Sequence, residues 1–266
     1  MVGEFPVAQH PRAHRMIENA VRVNGSVKHA PAVTAVLAPN PLLRLFTQFW
    51  LALKRPFLLA RIQRTTLERI RGVPFLVWSD VHNPVVFRSG QFLADALVTL
   101  PAFPADSQPG ARALDMGSGS GVGAIFAARR GYHVTAVDLN PEAVRCARIN
   151  VLLNRLENSV DVRHGDLFAP VEGDRFDLIL FNPPFFRGVP KDLFDLSWRS
   201  PDVLERFALG LHDALAPGGQ ALVLLSSEGD AAGMLQALHE QGFHTEPALR
   251  RNFGNEIMTL YSVHPA

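Results

Sequence analysis

Cysteine is almost absent from this chain: Cys146 is the only one in 266 residues. A single thiol excludes an internal disulfide and a cysteine-built zinc site, and it fits a reducing, cytoplasmic compartment. Flanked by Val144, Arg145 and Ala147, it reads as a small buried helix residue rather than a nucleophile. Long hydrophobic runs are missing too. The most apolar stretch, Leu42 to Leu59, is interrupted by Arg44, Gln48, Lys54, Arg55 and Pro56. It falls short of the roughly 18–20 clean residues that a spanning helix requires, so membrane insertion is not expected. The chain starts on polar residues with Pro6, Pro11 and Arg12, and no secretory signal is expected. None of the ten histidines falls in zinc spacing and no Ser/His/Asp or Cys/His set stands out, so no metal site is expected.

Net charge is nearly absent as well, at +1, but it is unevenly placed. Residues 1–72 hold eleven Lys/Arg against three acids, a net +8, whereas the remainder carries −7. A basic appendage on an acidic body suits an anionic partner, or is simply a solvated helical surface. What is plentiful is apolar material, 47% of residues, enough for a large core without metal or disulfide staples. We therefore expect a basic helical region over residues 1–72, serving substrate recognition or as a lid, and a main domain over residues 73–266.

The first forty residues, rich in Pro, Ala, His and Val, suggest short helices or a partly ordered arm. Leu42, Leu45, Phe46, Phe49 and Leu53 recur at helical spacing behind a potential Asn40 cap and Pro41, with Trp50 read as core. A second helix is expected from Pro56 to Arg71, stopped by Gly72 and Pro74. Phe75 to Trp78 reads as a strand, Gln91 to Leu100 as a helix, and Pro101 to Gly110 as a connector. Thereafter strands and helices alternate. Strands are expected at Ala113–Met116, His133–Asp138, Val160–Arg163, Phe176–Phe181 and Gln220–Ser226. Helices are expected at Val122–Arg130, Pro141–Asn154, Pro201–Leu215 and Ala231–Glu240, with a turn at Pro217-Gly218-Gly219. Phe243–Leu249 and Glu256–Val263 would close the sheet as a hairpin-like pair. This order specifies an α/β fold with a mostly parallel, doubly wound sheet.

Two stretches carry chemistry. Asp115-Met116-Gly117-Ser118-Gly119-Ser120-Gly121 leaves the first of these strands, and its glycines permit positive φ and close approach of a ligand to the backbone. Gly119, Gly121 and Ala124 also satisfy a dinucleotide fingerprint, so the run alone does not decide its ligand. Its neighbours do. Asp138 ends the next strand, where a carboxylate accepts from ribose hydroxyls. Asp166 follows the third, where it could accept from an adenine amino group with Leu167 against the ring. Asp115, placed before the glycines, repels a pyrophosphate and suits a cationic amino-acid moiety with a sulfonium. The second stretch is Asn182-Pro183-Pro184-Phe185. Its prolines fix two φ angles and remove two donors, leaving an amide side chain, free carbonyls and an aromatic face around a rigid turn.

With these motifs in this order, residues 111–226 resemble a class I S-adenosylmethionine-dependent methyltransferase. The resemblance implies a Rossmann-like seven-stranded sheet whose last strand is antiparallel. It implies S-adenosyl-L-methionine held by Asp115, Met116, Gly117, Ser118, Gly119, Gly121, Asp138, Leu139, Asn140, Asp166, Leu167 and Asn182. In such enzymes an NPPF or NPPY turn marks transfer to a planar nitrogen, so Asn182, Pro183, Pro184 and Phe185 become the reacting end. There the Asn182 oxygen and the Pro183 carbonyl would take the NH2 hydrogens and Phe185 would stack on the flat group. The subgroup most similar is the HemK type, which methylates a glutamine amide in release factors. Phe185 stands where that subgroup usually has Tyr, and NPPF is frequent among base methyltransferases. The acceptor is therefore a protein glutamine, a nucleic-acid base amine or a small molecule. A cofactor-binding scaffold without turnover and a nicotinamide-dependent dehydrogenase are the remaining alternatives.

Overall fold

A computed structural model describes residues 40–101 and 110–266. Apart from Asn40, the arm expected for the first forty residues lies outside these bounds, as does all but the two ends of the connector from Pro101 to Gly110. The body is a seven-stranded sheet built on β3 (Arg112–Met116), β4 (His133–Asp138), β5 (Val160–His164), β6 (Phe176–Phe181), β9 (Leu215–Ser226), β10 (Phe243–Asn252) and β11 (Ile257–Pro265). Their order across the sheet is β10-β11-β9-β6-β3-β4-β5. Strands β3, β4, β5, β6 and β9 pair in parallel, while β11 runs antiparallel to both β9 and β10. The expected mostly parallel sheet with an antiparallel last strand is what forms.

Alternation along β6 shows how the two faces are filled. Leu178 and Leu180 point into one core with Phe92 and Ile125, whereas Ile179 and Phe181 enter a second core with Phe207 and Leu211. Helices α2 (Ser89–Thr99), α3 (Val122–Arg129) and α4 (Pro141–Leu153) cover the first face, and α5 (Val203–Ala214) and α6 (Ala231–Glu240) the second. Phe181 stacks on Phe207 with ring centroids 4.1 Å apart, tying β6 to α5 directly behind the tetrapeptide.

The chain ahead of the sheet departs from expectation. One helix, α1 (Pro41–Ile62), replaces two, capped by the Asn40 side chain, which accepts from the Leu42 N–H at 3.0 Å. Pro56 lies inside it without ending it, because Pro56 and Ala52, whose carbonyl loses its partner, are both exposed to water. Trp50, expected in the core, is 44% exposed. The stretch expected to complete a second helix is β1 (Thr66–Ile70), paired antiparallel with β2 (Val73–Val77). Arg71 and Gly72 both have positive φ, 48° and 81°, which is the geometry of a tight hairpin turn. Glu68 turns inward from β1 and is buried against Arg61, Thr66 and Asn83. The Pro217-Gly218-Gly219 turn is also absorbed, as an irregularity within β9 where Leu215 pairs with Phe176.

Candidate functional site

Strand order reverses between β3 and β6, the switch point at which open α/β sheets bind ligands. Met116 pairs with both Val137 and Phe181, so the glycine run, Asp138 and Asn182 leave three adjacent strands at one level. Together with the loop after β5 they wall a cavity of about 190 Å³. Of the residues expected to hold the donor, Asp115, Met116, Gly117, Ser118, Gly119, Asp138, Leu139, Asn140, Asp166, Leu167 and Asn182 line it. Pro183, Pro184 and Phe185 line it as well. Gly121 does not. It caps α3 with φ 81° and approaches Ala147 of α4 so closely that an added Cβ would stand 3.3 Å from the Ala147 Cβ.

Asp115 is buried, its Oδ2 accepting from the Ala124 N–H at 2.7 Å. Burial pushes its carboxyl up to about 7, opposed by that hydrogen bond and reinforced by the nearby charge of Asp138. Gly123 is required beside it, since a Cβ there would fall 2.4 Å from Asp115 Oδ1. Asp138 accepts from Gly119 N–H at 2.7 Å and Asn140 N–H at 2.8 Å, one bond to each oxygen. Each oxygen keeps a second lone pair for a ligand hydroxyl. Burial also raises the Asp138 pKa, against those backbone bonds. The Ser118 N–H donates to the Val137 carbonyl, folding the glycine loop over β4, and the Ser118 Oγ is buried without a partner among the described residues. The Asn140 side chain is committed elsewhere: its oxygen caps α4 through the Glu142 N–H and its nitrogen donates to the Asp80 carbonyl. These groups fit a cationic nucleoside. They offer a carboxylate to a cation, acceptors to a ribose and an unsatisfied hydroxyl.

At the other end, Asn182 Nδ2 donates to Ser89 Oγ at 3.2 Å, while Asn182 Oδ1 is buried with no partner among the described residues. Ser89 Oγ lies 3.4 Å from His82 Nε2. Burial drives His82 down to about 4, so its ring is neutral near pH 7 and a bond to Ser89 brings no charge. His82, Phe87 and Trp198 pack with centroids 4.6–4.9 Å apart. Trp198 arrives because the chain after the tetrapeptide folds back: β7 (Phe186–Arg187) pairs in parallel with β8 (Arg199–Ser200). Phe185 is half-buried against the first core, and its carbonyl accepts from the Asp230 N–H at 2.9 Å. Asp166 is salt-bridged to Arg206 of α5 at 2.5 Å, and both residues line the cavity.

Ser89, His82, Trp198 and Arg206 are the site residues that sequence reading missed. Their positions are set by tertiary folding, and no local pattern marks them. Cys146, by contrast, is buried with its thiol pushed up to about 11, as suits an inert core residue.

Comparison with known proteins adds an independent finding. Residues 80–244 match the family described as methyltransferase small domain. A ribosomal RNA small subunit methyltransferase C from Alcanivorax borkumensis is 31% identical over 150 residues, covering 56% of this chain and 42% of that protein. A ribosomal protein uL3 glutamine methyltransferase from Bradyrhizobium diazoefficiens is 34% identical over 176 residues, covering 56% and 52%. The chain thus spans about half the length of these curated relatives. In structure it resembles the T. thermophilus 16S rRNA N2 G1207 methyltransferase, determined with AdoMet and guanosine. The TM-score is 0.55 at 21% identity, over 76% of this chain and 50% of that one. That likeness is one of fold.

Proposed function

The chain belongs to the methyltransferase small domain family, and from that membership we propose an S-adenosylmethionine-dependent N-methyltransferase acting on a planar nitrogen, with a protein glutamine amide as acceptor. One observation carries the reading. Asn182 is held by Ser89 so that its oxygen remains a buried acceptor with no donor among the described residues, at the level where the glycine loop and Asp138 converge. A buried orphan acceptor is costly to keep unless a ligand satisfies it.

The bound donor would supply an electrophilic methyl on a sulfonium. Asp138 would accept from its ribose, Leu167 and the Arg206-paired Asp166 would hold its base, and Asp115 would face its ammonium. Asn182 Oδ1 and the Pro183 carbonyl would take the two hydrogens of the acceptor NH2, turning the lone pair toward sulfur, while Phe185 covers the planar group. The nitrogen–carbon bond forms as the sulfur–carbon bond breaks, and the nitrogen then releases a proton to water. Positioning of this kind supplies up to roughly 7–11 kcal/mol without a strong base.

A second reading, transfer to an exocyclic amine of a nucleic-acid base, is favoured by the relative named for ribosomal RNA and by the +8 charge of residues 1–72. We also propose that residues 1–72 form an appendage to a catalytic body of residues 73–266, joined through the β1–β2 hairpin, and that the enzyme works in the cytoplasm. Incubation with labelled donor and fractionated cell extract tests the acceptor. Label in protein as N-methylglutamine supports the main reading, and label confined to RNA replaces it with the second.

A further inference from the structure

Helix α1 leaves a broad apolar face exposed. Of its 22 residues only Ile62 is buried. Its body-facing side is mixed: Ile62 is buried and Leu51 and Leu58 half-buried there, Arg44 pairs with Glu228 at 3.1 Å, and Thr47 packs against the turn at Gly254 with no room there for a side chain. Its apolar side faces out. Leu42, Leu45, Phe46, Phe49, Leu53 and Phe57 are each 59–79% exposed. At the helical period these side chains, with their exposed neighbours Leu43 and Trp50, cover an arc of about 160°. Patches of this kind on a soluble domain mark an interaction site.

We infer that this face seats the protein on an anionic lipid surface, with α1 lying in the plane of the headgroups. Three features favour that occupant. Leu, Phe and Trp on one side of a helix are the composition of an interfacial element. The arc is wider than the narrow seam a second helix would bury, which argues against a second copy. The charge is complementary as well: α1 contains no carboxylate, and Lys54 within it and Arg64 just past its end are exposed, whereas Arg44 and Arg61 are paired with Glu228 and Glu68. Lys54 is exposed at the border of the arc, where its stem can lie on the apolar surface while its ammonium reaches lipid phosphates. No described helix is long and apolar enough to cross a bilayer, so the contact is superficial.

Flotation of the full chain with phosphatidylcholine vesicles, with and without phosphatidylglycerol, tests this. The protein should float with the anionic vesicles, and Phe46→Ser/Phe49→Ser should reduce the bound fraction about tenfold or more. Lys54→Gln should reduce it less. Leu209→Ser, at an equally exposed position on α5, should leave it unchanged. Unaltered S-adenosylmethionine binding by the Phe46→Ser/Phe49→Ser variant shows that a loss is not unfolding. The inference is overturned by absence of flotation, by equal flotation without phosphatidylglycerol, or by a dimer that the double substitution dissociates. Single-stranded RNA binding that the same substitution abolishes would also overturn it.

Discussion

Asn182 shows how much chemistry one side chain is asked to carry. Its amide nitrogen is spent on Ser89 and its oxygen is buried without a partner among the described residues, which the proposed function assigns to the acceptor. Asn182→Ala should therefore retain donor binding while turnover falls about 100-fold, the usual cost of deleting one positioned polar group. Calorimetric titration and a rate assay separate the two effects. Asp138→Ala should do the reverse and weaken donor binding, because ribose hydroxyls lose their acceptors. Asp115 makes a pH-dependent prediction. It ionises near 7 in the fold but near about 3.9 in an unfolded chain. Between those values the folded protein holds a proton that the unfolded chain has released. Stability should therefore decline as pH rises from about 4 to about 7 and level off above. Asp115→Asn should flatten that decline in thermal melts. A cationic ligand beside Asp115 favours the carboxylate, so donor affinity should rise over the same interval.

At the scale of elements, legibility followed local chemistry. β4, β6 and α6 match their expected bounds, because the two strands are short buried runs and the helix a periodic one, each set off by its flanking residues. The β1–β2 hairpin escaped because Arg71-Gly72 is an uncommon pair for such a turn, and Leu67 and Ile70, three apart, mimic a helical repeat. The structure shows that Ile70 and Glu68 share the inward face and Leu67 the outward one, a period of two. The hairpin is held by Asp95 of α2, which bonds Arg71 at 2.6 Å and Arg251 of β10 at 2.7 Å. Asp95→Ala would remove the shared partner of two half-exposed guanidinium groups, costing about 1 kcal/mol in urea unfolding. A loss restricted to proteolysis of β1–β2, with global stability unchanged, would show that the clamp is local.

For the whole molecule, the convergence of the glycine run, Asp138, Asp166 and Asn182 on one cavity was readable because these residues lie at successive strand ends, each announced by its own motif. The other end of the cavity was readable only at the tetrapeptide. Ser89, His82 and Trp198 are distant from it along the chain, and only the return of β7–β8 and the start of α2 bring them there. The uneven charge was equally plain in sequence, but not that α1 turns its apolar side outward. All of this rests on Asn182 directing a methyl group onto nitrogen. The most direct test is mass-spectrometric mapping of the product after incubation with methyl-labelled S-adenosylmethionine and cell extract, for the wild type and Asn182→Ala. The account predicts label on an amide or amine nitrogen, reduced about 100-fold in the variant. Label on oxygen or carbon, or equal labelling by the two proteins, would contradict it.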